Sequence, residues 1–166
     1  MTRIVEVRIA ELFVGNEEHT IVTNGVGSCI VVLLYDPIMK IGGLAHAILP
    51  RKTEARYPTI EFAAHSMDAG KRFVKFADEA VGLLVDDIES LGGKRARMIA
   101  KLVGGARMFS LLEADKYGIG YHNTEAARAE LARFGIPIET EVTGGTVGRN
   151  VRFDLATGIA EVITKV

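Results

Sequence analysis

The stretch Cys29-Ile-Val-Val-Leu-Leu-Tyr35 is apolar over seven consecutive residues, three of them β-branched. A run of this kind, which follows a glycine-rich turn and ends at Asp36-Pro37, indicates a strand buried on both faces. Residues 41–49 form a second, largely apolar run that Pro50 closes. Because only a short turn separates the two runs, they predict an antiparallel hairpin.

Further strands and two helices are expected on either side of this hairpin. Val5, Val7 and Ile9 alternate with polar residues, which is typical of a half-buried strand. Apolar positions from Phe76 to Leu91 follow helical spacing, and Gly92-Gly93 ends that helix. The other predicted elements are a short strand over 21–23, a strand over 98–102, a second helix that Asn123 caps and that ends before Gly135, a strand over 138–142, and a terminal hairpin over 151–154 and 159–166.

Length and composition predict a single domain over residues 1–166. The 166 residues are 48% hydrophobic, which is ample for a continuous core. A formal net charge of -1 argues against a global field that recruits nucleic acid or anionic lipid. No stretch has the pattern of a signal peptide or a membrane span, so we expect a cytoplasmic location. The single cysteine, Cys29, cannot form an internal disulfide and is expected to be a free thiol.

Cys29 and His46 form a candidate acyl-transfer pair on the predicted hairpin. A turn centred between Pro37 and Ile38 places the two directly opposite each other, and residues paired in this way have Cβ atoms about 4.5–5.5 Å apart on one face. A different turn centre would break this pairing. A neighbouring imidazolium would lower the pKa of the thiol and favour the nucleophilic thiolate. The candidate oxyanion-hole donors are the backbone N–H groups of Gly27, Ser28 and Cys29.

Each member of this pair also has an ordinary structural explanation. A lone cysteine in an apolar strand is usually a small buried hydrophobe. His46, between Leu44 and Ile48, is by itself more often a core histidine with satisfied hydrogen bonds. Spacing alone therefore leaves catalysis and packing open. The other histidines, His19, His65 and His122, have no ligand-like spacing, so neither a metal site nor a cofactor is expected.

The segment 51–75 has no clean period and is longer than an ordinary connection. Such a segment is often a lid or a binding loop. It is locally basic, and charges of this kind usually only solvate a surface. Its basic residues are Arg51, Lys52, Arg56, Lys71, Arg72 and Lys75.

Two long segments and several short motifs carry a family resemblance. The long segments are Thr23-Asn-Gly-Val-Gly-Ser-Cys29 and Gly42-Gly-Leu-Ala-His-Ala-Ile-Leu-Pro50. The short motifs are Lys75-Phe-Ala-Asp78, Gly104-Gly-Ala-Arg-Met-Phe109, Ile119-Gly120 with Asn123, Gly135-Ile-Pro137 and Gly144-Gly-Thr-Val-Gly-Arg149. In this order they resemble the chemoreceptor glutamine deamidases, the CheD family, over nearly the whole chain. The chain departs from the family's usual residues at Val26, Phe76 and His122, which stand for Leu, Tyr and Arg.

The resemblance implies an α/β fold, which we expect to be a layered sandwich with mixed, largely antiparallel sheets and two main helices. It implies an active site of Cys29, His46 and Thr23. In such a site the thiol attacks a glutamine side chain, His46 protonates the departing ammonia, and water hydrolyses the thioester to leave glutamate. Thr23 would orient the imidazole through its hydroxyl or its carbonyl.

Expected partners follow from the same resemblance. They are the cytoplasmic helices of chemoreceptors, as substrate, and a CheC-type chemotaxis phosphatase. Because receptor methylation helices are typically rich in Glu and Gln, Arg51 and Arg56 are candidate substrate-binding residues that steer an acidic helix toward Cys29. The alternative functions are a docking module for the phosphatase, with Cys29 incidental, and another cysteine acyl-transfer enzyme such as a protease or transglutaminase.

Overall fold

Two stacked β-sheets, with two helices on the outer side of the larger sheet, make up the computed structural model, which describes residues 2–52, 70–108 and 116–165. The elements are β1 (Arg3–Glu6), β2 (Glu11–Gly15), β3 (His19–Val26), β4 (Ile30–Asp36), β5 (Ile41–Ala47), β6 (Lys71–Phe73), α1 (Ala77–Ser90), β7 (Ile99–Gly104), α2 (Gly118–Phe134), β8 (Ile138–Thr143), β9 (Arg149–Asp154) and β10 (Ile159–Thr164), with a 3-10 turn at Arg95–Arg97.

The larger sheet has the strand order β6-β2-β5-β4-β7-β8, and the smaller has the order β1-β3-β9-β10. All pairs are antiparallel except β1 with β3 and β7 with β8. The predicted layered α/β sandwich with mixed, largely antiparallel sheets and two main helices is therefore confirmed. Neither helix in the described ranges is long and apolar enough to cross a membrane.

Strand β4 lies in the middle of the larger sheet, and all seven of its residues are buried. Ile30, Val32 and Leu34 belong to the hydrophobic cluster that includes the apolar faces of α1 and α2. The alternate side chains, such as Leu33, belong to the cluster between the two sheets, together with Phe153 of β9. Both faces of the strand are covered, as its unbroken apolar sequence predicted.

The hairpin of β4 and β5 has a register that differs from the predicted one. Val31 pairs with His46, and the ladder runs from Ile30 opposite Ala47 to Asp36 opposite Ile41. The turn is therefore centred between Ile38 and Met39, one residue later than expected. The prediction that Cys29 lies directly opposite His46 is wrong.

The Asp36 side chain explains the position of this turn. Its buried carboxylate accepts hydrogen bonds from the backbone N–H groups of Ile38, at 3.0 Å, and Met39, at 3.2 Å. It also accepts from the backbone N–H of Lys94 and from the Arg97 guanidinium. Burial raises the pKa of Asp36, but these hydrogen bonds outweigh burial and lower that pKa to about 2. The carboxylate is thus charged at neutral pH and holds the backbone N–H groups of Ile38 and Met39 in the turn.

The helices agree with the sequence pattern at most of their ends. Helix α1 ends at Ser90, just before the predicted glycine pair. Helix α2 ends before Gly135 as predicted, but it begins at Gly118, so Asn123 is not its cap. Gly120 obscured the early start of α2, because glycine is unfavourable inside a helix. The close packing requires glycine at this position, since a Cβ there would lie 2.4 Å from the Ala106 carbonyl oxygen.

Strands β2 and β6 were not predicted. β2 begins with the buried Glu11, an acidic residue that ordinarily argues against a buried strand, and Lys71 of β6 lies 3.5 Å from its carboxylate. The first strand, expected over residues 5–9, instead ends at Glu6. Shortly after it, Ala10 has a positive φ of 65°, which starts the chain into β2.

Candidate active site

His46 and Thr23 meet between the two sheets. His46 lies on β5 of the larger sheet and Thr23 on β3 of the smaller sheet, and both side chains are fully buried. The imidazole Nδ1 is 2.8 Å from the Thr23 hydroxyl oxygen. This hydrogen bond crosses from one layer to the other, and it uses the hydroxyl of Thr23, one of the two atoms that the sequence left open.

The other ring nitrogen of His46 determines what the imidazole can do. Nε2 is buried and has no hydrogen-bond partner among the residues that the structure describes. Burial lowers the pKa of His46 to about 4, so the ring is neutral at neutral pH. If Nδ1–H donates to Thr23, Nε2 carries a lone pair and can accept a proton. The arrangement therefore suits a general base.

Cys29 lies just before β4, and its free thiol is partly exposed. Cys29 lies in a bend one residue outside the ladder and two residues before Val31, the cross-strand partner of His46. Cys29 is therefore not the direct partner of His46. Were the alternation of β4 continued through the bend, the two side chains would share a face, because an offset of two residues preserves it.

The peptide groups around Cys29 have a defined orientation. Three consecutive carbonyl oxygens accept hydrogen bonds: Gly27 from Ala106 N–H at 3.0 Å, Ser28 from the Asn123 side chain at 2.9 Å, and Cys29 from Gly105 N–H at 2.7 Å. In a trans peptide the N–H points opposite to the preceding carbonyl. The Ser28 N–H therefore points away from Ala106 and the Cys29 N–H away from the Asn123 amide, and the Cys29 N–H is close enough to its own sulfur to lower the thiol pKa in part.

Gly104, at the end of β7, permits this close packing. Its φ is +118°, and a Cβ there would lie 2.3 Å from the Cys29 carbonyl oxygen. A side chain at this position would displace the backbone that carries the thiol. Gly104 in turn is held by the buried Arg149, whose Nη1 donates to its carbonyl oxygen at 3.1 Å.

The protonation state of Cys29 differs from the sequence-based expectation. Burial raises the pKa of the Cys29 thiol to about 11, and its own backbone N–H opposes this only in part. The expected lowering by a neighbouring imidazolium is wrong for the free protein, because His46 is neutral and contributes no positive charge. The resting pair is therefore a thiol and a neutral imidazole.

The basic residues of the segment 51–75 are mostly paired within the chain where the structure describes them. Lys52 lies 3.5 Å from Glu79, Lys71 lies 3.5 Å from Glu11, and Arg72 lies 2.7 Å from Asp87. Arg51 is half-buried after Pro50; burial raises the pKa of the nearby Asp78 carboxyl group, and the positive charge of Arg51 opposes this only in part. Arg56 lies outside the described residues. The local field of this segment is consequently weaker than its sequence indicates.

Asn123 is the site residue that sequence reasoning missed. Its side chain is fully buried and reaches the loop before Cys29. An asparagine before a helical pattern predicts a cap, and only its place in a family motif pointed elsewhere.

The chain is similar in sequence to known proteins of one family. The family model described as CheD chemotactic sensory transduction matches residues 58–164. A protein of Geobacter metallireducens named probable chemoreceptor glutamine deamidase CheD 2 is 40% identical over 160 residues, 96% of this chain and 92% of its own. One from Pyrococcus abyssi, named probable chemoreceptor glutamine deamidase CheD, is 40% identical over 95% of this chain and 90% of its own. The chemoreceptor glutamine deamidase CheD of Halalkalibacterium halodurans is 38% identical over 93% of this chain and 89% of its own.

A likeness in fold extends beyond these relatives. The crystal structure of a Neisseria meningitidis protein described by the family model DUF152 superposes with a TM-score of 0.50 at 12% identity, covering 88% of this chain and 65% of that one. This likeness concerns the fold alone. The match of the family model over more than half of the chain, with near full-length relatives at about 40% identity, shows that the chain belongs to the CheD family.

Proposed function

We propose that this protein is a protein-glutamine deamidase. It converts specific glutamine side chains on the cytoplasmic helices of methyl-accepting chemotaxis receptors to glutamate and releases ammonia. The names of the relatives support the activity and the substrate. One observation carries the mechanism: His46 has Nδ1 bonded to Thr23 while its buried Nε2 has no partner among the described residues, and Cys29 lies two residues before Val31, the cross-strand partner of His46.

In the first half of the proposed reaction, the Cys29 sulfur attacks the carbonyl carbon of the glutamine side chain. His46 Nε2 accepts the thiol proton in the same step, so that separated charges do not build up beforehand. The carbonyl oxygen becomes an oxyanion, which the N–H groups of Ser28 and Cys29 can receive. His46 then gives its proton to the departing nitrogen. Ammonia leaves, and a thioester joins Cys29 to the substrate.

In the second half, a water molecule enters the place that ammonia has left. His46 accepts a proton from the water, whose oxygen attacks the thioester carbonyl carbon. Collapse of the second tetrahedral intermediate breaks the carbon–sulfur bond, and the proton returns to Cys29 as the thiol. Throughout both steps Thr23 accepts the Nδ1–H of His46, which fixes the tautomer and holds the ring in place. The product is a glutamate side chain.

Mass spectrometry of a receptor fragment tests this function. We expect wild-type protein to shift a purified cytoplasmic receptor fragment by the mass difference between an amide NH2 and a carboxyl OH, with one ammonia released per shift. Protein alkylated at Cys29 serves as the control and should leave the fragment unchanged. Fragment cleavage would support a protease and crosslinking a transglutaminase, while an unchanged fragment with wild-type protein would contradict any acyl-transfer activity.

We also propose that Arg51 contributes to substrate binding, as the sequence predicted together with Arg56. Replacing Arg51 with glutamate should slow turnover by about 10-fold at low ionic strength and much less in high salt, because screening removes charge steering. The measurement is kcat/KM on the receptor fragment across salt concentrations. Arg152→Glu is the matched control, since Arg152 is exposed on the smaller sheet. Equal salt dependence for Arg51→Glu and wild type would remove Arg51 from the proposal.

A further inference from the structure

Asn123 makes two hydrogen bonds that join the strands carrying Cys29 and His46. Its Nδ2 donates to the Ser28 carbonyl oxygen at 2.9 Å and to the Ile48 carbonyl oxygen at 3.1 Å. Both partners are acceptors only, so the NH2 group, and not the oxygen, must face them. Ser28 directly precedes Cys29, and Ile48 follows His46 by two residues.

These bonds occur where the ladder between β4 and β5 has ended. The last pair of that ladder is Ile30 opposite Ala47. Beyond it, the Asn123 amide from α2 bridges the carbonyl oxygens of Ser28 and Ile48. The side chain therefore joins the two backbones at the point where the loop that carries Cys29 departs from the sheet.

The bond to Ser28 controls the direction of one donor. Because the peptide between Ser28 and Cys29 is planar and trans, a carbonyl held toward α2 requires the Cys29 N–H to point the opposite way. That N–H is close enough to the Cys29 sulfur to lower the pKa of the thiol in part. An acyl intermediate on this sulfur would place its oxyanion within reach of the same N–H.

Stability alone explains Asn123 poorly. Asparagine has a low helix propensity, and this one lies inside α2 with its side chain fully buried. Its Oδ1 is buried without a hydrogen-bond partner among the described residues, which is a net cost. A polar group that is buried at a cost beside the proposed nucleophile indicates a functional reason for its position.

We propose that Asn123 is a positioning residue for the reaction at Cys29: its amide fixes the Ser28–Cys29 peptide so that the Cys29 N–H faces the developing oxyanion. This inference rests on the proposed deamidase function. Asn123 touches neither the substrate nor the sulfur in this role, and acts only through the backbone of the loop.

The experiment compares two reactions of the same thiol. Deamidation develops an oxyanion, whereas alkylation by iodoacetamide displaces iodide and develops none at a protein-bound oxygen. Asn123→Ala should therefore lower kcat for the receptor fragment about 100-fold with KM nearly unchanged, the usual effect of losing one oxyanion donor. The alkylation rate of Cys29 should stay within about threefold of wild type, because that reaction develops no oxyanion and depends on the donor only through its small effect on the thiol pKa.

Two further variants keep the test decisive. Asn123→Ser keeps one donor in less space and should give a smaller loss of kcat, which also serves if the alanine variant does not fold. Thr124→Val is the matched control, because it removes a buried hydrogen bond, from Thr124 Oγ1 to the Gly120 carbonyl at 3.0 Å, in the same helical turn while it keeps the side-chain volume that packs against Gly105. It should leave kcat unchanged.

Three outcomes would overturn the inference: wild-type kcat in both Asn123 variants, a parallel fall in deamidation and alkylation, or an equal loss of kcat in Thr124→Val. The parallel fall would mean that Asn123 only maintains the shape of the loop. Failure of the proposed function itself is a separate result, because wild-type protein would then release no ammonia from the receptor fragment.

Discussion

Replacing Cys29 with alanine should lower the turnover of the receptor fragment by about 10^5-fold, because loss of a covalent nucleophile typically removes most of the catalytic rate. No other thiol can take over, since the chain has a single cysteine. Cys29→Ser should be almost as inactive, because a hydroxyl is a far weaker nucleophile than sulfur beside a base of low pKa. The measurement is ammonia release under saturating substrate.

The same variant separates the enzyme from the docking module. Cys29→Ala changes few atoms at a partly exposed position, so we expect its melting temperature to remain close to that of wild type. Binding to a CheC-type phosphatase, the partner that we propose from the family resemblance, should be retained. Residual ammonia release near the wild-type rate would contradict a nucleophilic role for Cys29 and favour the docking alternative.

Replacing His46 with asparagine should lower kcat by about 10^3-fold, within the range reported for a general acid–base group. Asparagine can still donate an N–H to Thr23 from the position of Nδ1, but it has no atom that replaces the basic Nε2. The substitution therefore separates the base from the hydrogen bond that orients it. The measurement is kcat for the receptor fragment, with folding checked by thermal denaturation.

The pH profile of wild-type protein completes this test. Because burial lowers the pKa of His46 to about 4, the base is neutral above that pH, and kcat/KM should fall only as the pH drops through about 4. The thiol, with a pKa of about 11, should remain protonated over the whole neutral range. A fall in kcat/KM centred near pH 6.5 would contradict the neutral resting pair. In His46→Asn, the fall in kcat/KM near pH 4 should be absent.

Thr23 supplies the matched controls for His46. Thr23→Val keeps the volume but removes the hydroxyl that lies 2.8 Å from Nδ1, so it should reduce kcat less than loss of the base does. Thr23→Ser keeps the hydroxyl and should stay near the wild-type rate. Equal activity in Thr23→Val and wild type would show that the imidazole needs no orienting partner.

The parts of the fold that sequence predicted are those with strong local signals. The buried β4, the helix α1 and the terminal hairpin follow from apolar periodicity and glycine turns, which neighbouring residues determine. The register of the central hairpin was wrong by two residues, because the Asp36 carboxylate that binds the turn is held by Lys94 and Arg97, which are remote in sequence. Neither the periodicity of the strands nor the residues of the turn indicate such remote partners.

The candidate site, like the fold, could be predicted only in part. Hairpin geometry predicted Cys29 directly opposite His46, whereas the ladder pairs His46 with Val31 and leaves Cys29 one residue before β4. The pairing of His46 with Thr23 came from the family resemblance, since it joins two different sheets. The role of Asn123 could not be predicted from spacing, because its partners lie 95 and 75 residues away along the chain.

The hydrogen bond between Thr23 and His46 links the chemistry to the stacking of the two sheets. The ring is anchored in the larger sheet, whereas the hydroxyl that orients it belongs to the smaller sheet, formed by strands from both ends of the chain. A fluctuation that shifts one layer against the other would misalign the imidazole while the helices and the thiol stay in place. If the proposed mechanism holds, catalytic competence depends on the interface between the layers, and neither layer would retain it alone.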